Sequence, residues 1–138
     1  MSRIRTITHI LASLTLLAGC GSNNTLDPGV TQPTPATITE TFAGTLSPNG
    51  ASTFPFAVGA ASTVTASMTE LAPEGASVGL SLGTWNGQTC QVTIDDAAAV
   101  LNTLVVGVTS SQGNLCLRVY DPGKLTAQAT FLVTVVHQ

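Results

Sequence analysis

From about Thr37 onward the chain is a succession of short runs in which apolar and polar residues alternate. Thr39-Glu40-Thr41-Phe42-Ala43-Gly44-Thr45-Leu46 is the first, and Ser47-Pro48-Asn49-Gly50 ends it with a strong turn signal. Phe54, Phe56 and Val58 recur at period two, as do Val64, Ala66 and Met68 opposite Thr63, Thr65, Ser67 and Thr69. Pro73-Glu74-Gly75 interrupts the pattern. Further stripes are Val78/Leu80/Leu82, Val92/Ile94, Leu104/Val106/Val108, Leu115/Leu117/Val119 and Ala129/Phe131/Val133/Val135. Period two is the mark of a strand with one face in a core. About eight such runs at roughly ten-residue spacing, rich in Thr and Val, predict an all-β fold. The expected architecture is an antiparallel, jelly-roll-like β-sandwich, apolar inside and hydroxyl-bearing outside. One stretch departs from the alternation. Asp95-Asp96-Ala97-Ala98-Ala99-Val100-Leu101 reads as a short helix with Asp95 as its N-cap, or else as a loop.

Before Thr37 the pattern is of another kind. Arg3 and Arg5 precede a mostly apolar run, Ile7 to Leu17, too short to span about 30 Å of hydrocarbon as a stable helix. The run ends in Leu17-Ala18-Gly19-Cys20, which closely resembles the lipobox of bacterial lipoproteins. That resemblance implies lipidation of the Cys20 thiol, removal of residues 1–19 and anchoring in the cell envelope. Gly21, where an Asp would favour inner-membrane retention in such lipoproteins, points to the outer membrane if the organism has one. The alternative is an ordinary secretory signal with an incidental Cys20. Residues 20–36 then have the composition of a tether, with Pro28, Pro33 and Pro35 and only Leu26 and Val30 as sizeable apolar residues. The expected organisation is therefore a signal peptide over 1–19, a lipidated Cys and flexible linker over 20–36, and a domain over 37–138.

Composition sharpens this picture. Only 8% of residues are charged, against about 25% in an average soluble domain. Removal of residues 1–19 would leave 119 residues with two cations, Arg118 and Lys124, against seven acids, a net charge of −5. No basic patch exists for nucleic acid. An acidic body is repelled by anionic lipid, so the acyl chains on Cys20 are expected to hold it at a membrane.

The domain's opening and closing runs resemble the bacterial pre-peptidase C-terminal domain. The residues that carry the likeness are Phe42-x-Gly44-x-Leu46 and Phe54-x-Phe56-x-Val58, then Gly113-Asn114-Leu115-Cys116-Leu117-Arg118-Val119-Tyr120-Asp121 and Phe131-Leu132-Val133-Thr134-Val135. Leu115 stands where that family usually has an aromatic. The resemblance covers roughly residues 38 to 136 and implies a β-sandwich found on exported proteins. Calcium binding, which relatives of this fold perform with clustered acids, does not carry over: Asp95 and Asp96 are adjacent, and Asp121 is distant.

Cys90 and Cys116 form an even pair in an exported domain and are expected to be disulfide-bonded, with two free thiols as the alternative. Cys116 alternates with Leu115, Leu117 and Val119 and should face outward, whereas Cys90 shares phase with Val92 and Ile94. A turn or bulge near Cys90 would have to re-aim it.

Candidate chemistry is sparse. Beyond residue 20 the single His is His137, read as a solvated chain end. No Gly-x-Ser-x-Gly elbow, phosphate loop or metal-ligand spacing occurs, so no catalytic residue, metal or cofactor is assigned. Asp95 and Asp96 read as a solvated turn, though either could pair with Glu70 or Glu74. Trp85, Asn86 and Gln88 lie in a loop between two strands and could stack on and hydrogen-bond a sugar; the simpler reading has Trp85 covering the end of the core. Tyr120 and Arg118 share the outward phase of Cys116, and Arg118 could pair with an acid such as Glu40. The sequence thus points to a lipid-anchored, non-enzymatic envelope protein with a monomeric binding domain for a protein or glycan partner. A carbohydrate-binding module using Trp85 is the alternative, followed by a hydrolase of unknown type.

Overall fold

The computed structural model describes residues 33–138. The lipobox, Cys20 and most of the expected tether lie outside the described residues. Residues 33–37 are exposed and without regular structure. Eight strands follow: β1 (Ile38–Leu46), β2 (Ala51–Val58), β3 (Ser62–Ala72), β4 (Val78–Trp85), β5 (Cys90–Ala99), β6 (Leu104–Thr109), β7 (Gly113–Tyr120) and β8 (Ala129–His137). They form two four-stranded antiparallel sheets, β1-β8-β3-β6 and β2-β7-β4-β5, packed face to face in jelly-roll order.

Alternation builds the core as expected. Along β8 Ala129, Phe131, Val133 and Val135 are buried, while the residues between them are not. Val64, Ala66 and Met68 of β3 meet Val78, Leu80 and Leu82 of β4 and Leu117 and Val119 of β7 in one cluster. Fully burying such an aliphatic side chain contributes about 1.5–3 kcal/mol. All four Phe residues of the chain lie together where β1 faces β2: ring centroids are 5.3 Å apart for Phe42–Phe54, 6.0 Å for Phe42–Phe56 and 6.1 Å for Phe54–Phe131. This side of the sandwich is sealed by aromatic rings.

Four expectations are corrected. Residues 95–99 are neither helix nor loop but the second half of β5, with Asp95 opposite Ser81 and Asp96 opposite Leu80. β4 needs a partner on that edge, and its ladder overrides the weak helical preference of the alanines. The chain turns only at Asn102, which takes a φ of 70°.

On β6 the stripe Leu104/Val106/Val108 faces outward, and Val105 and Gly107 face in. The run is apolar in both phases, so periodicity could not choose. The register with β3 does: Val105 pairs with inward Ala66, and Gly107 with inward Val64.

His137 is not a solvated end. It is 1% exposed on the inner side of β8, its ring centroid 5.5 Å from that of Phe56, with Nε2 3.1 Å from Glu40 Oε1. Glu40 therefore pairs with His137 and not with Arg118. Finally, Cys116 occupies the outward phase yet is fully buried, for the reason given next.

Candidate functional site

The inner side of β4 is Val78, Leu80 and Leu82, so Gly79, Ser81, Gly83 and Trp85 point away from the core. Register places Tyr120 beside Gly79, Arg118 beside Ser81 and Cys116 beside Gly83, all on β7. Two glycines give this outer face its shape. A Cβ on Gly79 would fall within the Tyr120 ring, so that ring lies flat across β4. The Tyr120 hydroxyl thereby reaches β5 and donates to the Asp95 carboxylate, 2.9 Å from Oδ1 and 2.8 Å from Oδ2. The Arg118 guanidinium stacks on the same ring, 4.6 Å from its centroid. Desolvation, and then the bond to and charge of Asp95, push the Tyr120 phenol above its usual range; Arg118 opposes them. Among the described residues Arg118 makes no ion pair.

At the other glycine, a Cβ on Gly83 would collide with the backbone carbonyl of Gln91. β5 crosses here because its register with β4 shifts between Leu82/Ile94 and Gly83/Val92, leaving Thr93 as an extra residue. Thr93 Oγ1 donates to the Leu82 carbonyl at 3.3 Å. This bulge bends the strand and reverses its phase, so Ile94 packs against the core whereas Val92 and Cys90 turn outward. Cys90 consequently reaches over β4 and is disulfide-bonded to Cys116 on β7, with Cα atoms 5.7 Å apart. The bridge and the crossing strand cover Cys116 and Gly83.

Trp85 ends β4 on this same face, half-buried and outside the core cluster. It does not cap the core. It stands between two shallow depressions, one of about 560 Å³ bounded by Pro55, Ala57 and Asn114, the other of about 300 Å³ bounded by Thr53, Gln88 and Arg118. Asn86 borders the first depression beside Trp85, and its side chain also builds the turn. Asn86 Oδ1 accepts from the Gln88 N–H at 2.9 Å and the Thr89 N–H at 2.8 Å, and Nδ2 donates to Thr89 Oγ1 at 3.0 Å. Gln88 is exposed beside Arg118 at the edge of the second depression.

Asp121 and Asp96 are spent on structure. Asp121, 8% exposed, accepts the N–H groups of Gly123, Lys124 and Leu125 on Oδ1 and that of Asn49 on Oδ2, at 2.7–3.1 Å. Desolvation raises its pKa, but these four donors outweigh it and hold the carboxyl below its usual range. Asp96 accepts from the Ala98 N–H at 2.8 Å. The described residues contain no group of three or more His, Cys, Asp or Glu arranged to hold a metal.

The outer face of β2-β7-β4-β5 thus gathers the chain's one Trp, its one Tyr and Arg118, the one Arg beyond residue 5. The shared phase of Arg118, Tyr120 and Cys116 was legible in the sequence. Their meeting with Trp85 and Asp95 was not, since it depends on strand order. The pair Gly79 and Gly83, two residues apart in one strand, was the available signal for close approach on that face.

No family model matches the chain, and neither does any curated protein. Among solved structures, the domain is similar to PliG of Aeromonas hydrophila, described as a periplasmic lysozyme inhibitor of g-type lysozyme. The match has 11% identity and a TM-score of 0.54, and it covers 72% of this chain and 86% of that one. It shows a shared β-sandwich fold.

Proposed function

We propose that this is an exported, lipid-anchored envelope protein whose domain binds a protein partner through the outer face of β2-β7-β4-β5 and performs no chemistry of its own. The observation that carries the reading is the convergence of Trp85, Tyr120 and Arg118 on one face of a chain with only 4% aromatic residues. Trp, Tyr and Arg are the side chains that most often dominate protein–protein binding energy. Here Tyr120 is held by Asp95 and Gly79, and Arg118 by Tyr120, so little ordering entropy remains to be lost on binding. The disulfide supports an oxidising compartment. The lipobox-like Leu17-Ala18-Gly19-Cys20 supports a lipid anchor at Cys20, in the outer membrane where there is one.

The fold shared with PliG makes a lysozyme the first partner to try. Lysis of cell walls by a g-type lysozyme should slow when the full chain is added. Trp85→Ala and Arg118→Ala should abolish the effect while the Cys90–Cys116 linkage stays intact. Absence of both inhibition and binding across lysozyme types would reject such a partner. The depression beside Trp85, Gln88 and Arg118 keeps a glycan-binding reading in play. Glycan-array binding that disappears in Trp85→Ala would favour it over a protein partner. Membrane attachment is tested separately: Cys20→Ser should release the protein into the soluble fraction or block processing, and unchanged partitioning would refute the anchor.

A further inference from the structure

The two open sides of the sandwich differ. The β1/β2 side is closed by the four Phe residues. On the other side a cleft of about 390 Å³ opens between β5 and β6, floored by Val64, Leu82 and Leu115 and bordered by Gly107. Beside it the outer stripe of β6 is bare: Leu104 is 60% exposed, Val106 50% and Val108 82%.

β6 is also a terminal strand, so one row of its backbone N–H and C=O groups has no strand partner among the described residues. Such edges invite pairing with another chain, and proteins usually blunt them with charge, proline or bulges. The other three edges are blunted in this way. β1 carries Glu40, β2 has Pro55 at its centre, and β5 has two register shifts with Asp95 and Asp96. β6, Leu-Val-Val-Gly-Val-Thr, has none of these devices.

We propose that β6 is a self-association edge, at which two copies pair β6 with β6 in antiparallel fashion about a two-fold axis at Val106. The two β1-β8-β3-β6 sheets then become one continuous sheet. The sequence of β6 is self-complementary in this register. Leu104 lies opposite Val108 of the second copy, Val106 opposite Val106, and Val105 opposite Gly107, so outer residues meet outer and inner meet inner. A slip of one residue would set the exposed stripe against the buried one, and a slip of two would leave either Leu104 or Val108 without an aliphatic partner. Aliphatic cross-strand pairs stabilise a sheet.

Charge favours the same edge. Residues 33–138 hold six acids against Arg118 and Lys124, so two copies repel in general, while β6 has no ionisable side chain. The association lies on the opposite sheet from Trp85 and does not depend on the binding face proposed above. A failed lysozyme assay would leave it standing.

Directly opposed residues in an antiparallel pair have Cα atoms about 4.5–5.5 Å apart, within disulfide reach. Val106→Cys in the full chain, expressed in its own envelope and oxidised mildly, should give a disulfide-linked dimer. The yield should be on the order of tenfold above that of Thr41→Cys, an exposed control on β1. Adding Val108→Lys, also at an exposed site, should remove the linked dimer. Retention of the Cys90–Cys116 linkage in each variant reports folding. Equal linking from Val106→Cys and Thr41→Cys, no linking from either, or linking that survives Val108→Lys would each overturn the proposal. So would protection of Val106→Cys by a different protein.

Discussion

Gly83 on β4 lies directly beneath the backbone of Gln91 on β5, and no side chain fits between them. The crossing at this point carries Cys90 over β4 to Cys116. The glycine, the Thr93 bulge and the disulfide thus meet at one place, where β5 folds over the outer face of β4. Gly83→Ala should force β5 outward. Overpacking of this kind costs about 1–3 kcal/mol. The expected outcome is a lower midpoint in urea together with slower oxidation of the cysteine pair after reduction. An unchanged midpoint and oxidation rate would mean that β5 does not need the close approach.

The disulfide closes a 26-residue separation and holds the β5 edge to β7. Replacing both cysteines with serine should lower stability by about 2–4 kcal/mol, mainly by freeing the unfolded chain. Chemical denaturation measures the loss. Non-reducing mass spectrometry of the unaltered protein should join the Cys90 and Cys116 peptides.

Tyr120 is the single tyrosine, so its titration can be followed by ultraviolet absorbance without interference from another phenol. It should ionise above the ordinary value of 10.0, because burial and the Asp95 carboxylate disfavour the phenolate. The sign follows from linkage. The folded-state value is raised, so the contribution to stability is complete below 10.0 and is lost as pH rises through the folded-state value. Asp95→Asn should move the titration back toward the ordinary value. A midpoint unmoved by that change would refute the hydrogen bond.

Asp121 behaves in the opposite sense. Its folded-state value is lowered from 3.8 by the four backbone donors that it accepts. Its contribution is therefore present above 3.8 and lost as pH falls through the lower folded-state value. Asp121→Asn should destabilise the domain at neutral pH, and the difference from the unaltered protein should shrink in strong acid. Thermal unfolding across that range would show it. A difference independent of pH would mean that the charge of Asp121 plays no part.

How far the sequence could be read varied from strand to strand. β3, β4, β7 and β8 have one apolar phase, and each faced the core as its alternation predicts. β6 is apolar in both phases, and β5 changes phase at Thr93; at both, periodicity alone pointed the wrong way. The candidate site divides along the same line. Arg118, Tyr120 and Cys116 were legible as one outward row because they sit on a regular strand. Asn86, read as a possible ligand contact, borders the depression beside Trp85; that its side chain also ties its own turn is a matter of local geometry and not of residue type.

By itself the sequence determined the all-β class, the strand count and most of the buried residues, since these follow from short-range alternation and turn chemistry. Only the tertiary structure decided what depends on which strands are neighbours. Placing β4 between β5 and β7 brought Asp95 to Tyr120 and Cys90 to Cys116, and it set Trp85 on the face of Arg118. Pairing β6 with β3 left Leu104, Val106 and Val108 facing solvent. Strand order is fixed by long-range contacts whose pattern no local window of the chain contains, and the face presented to a partner is set with it.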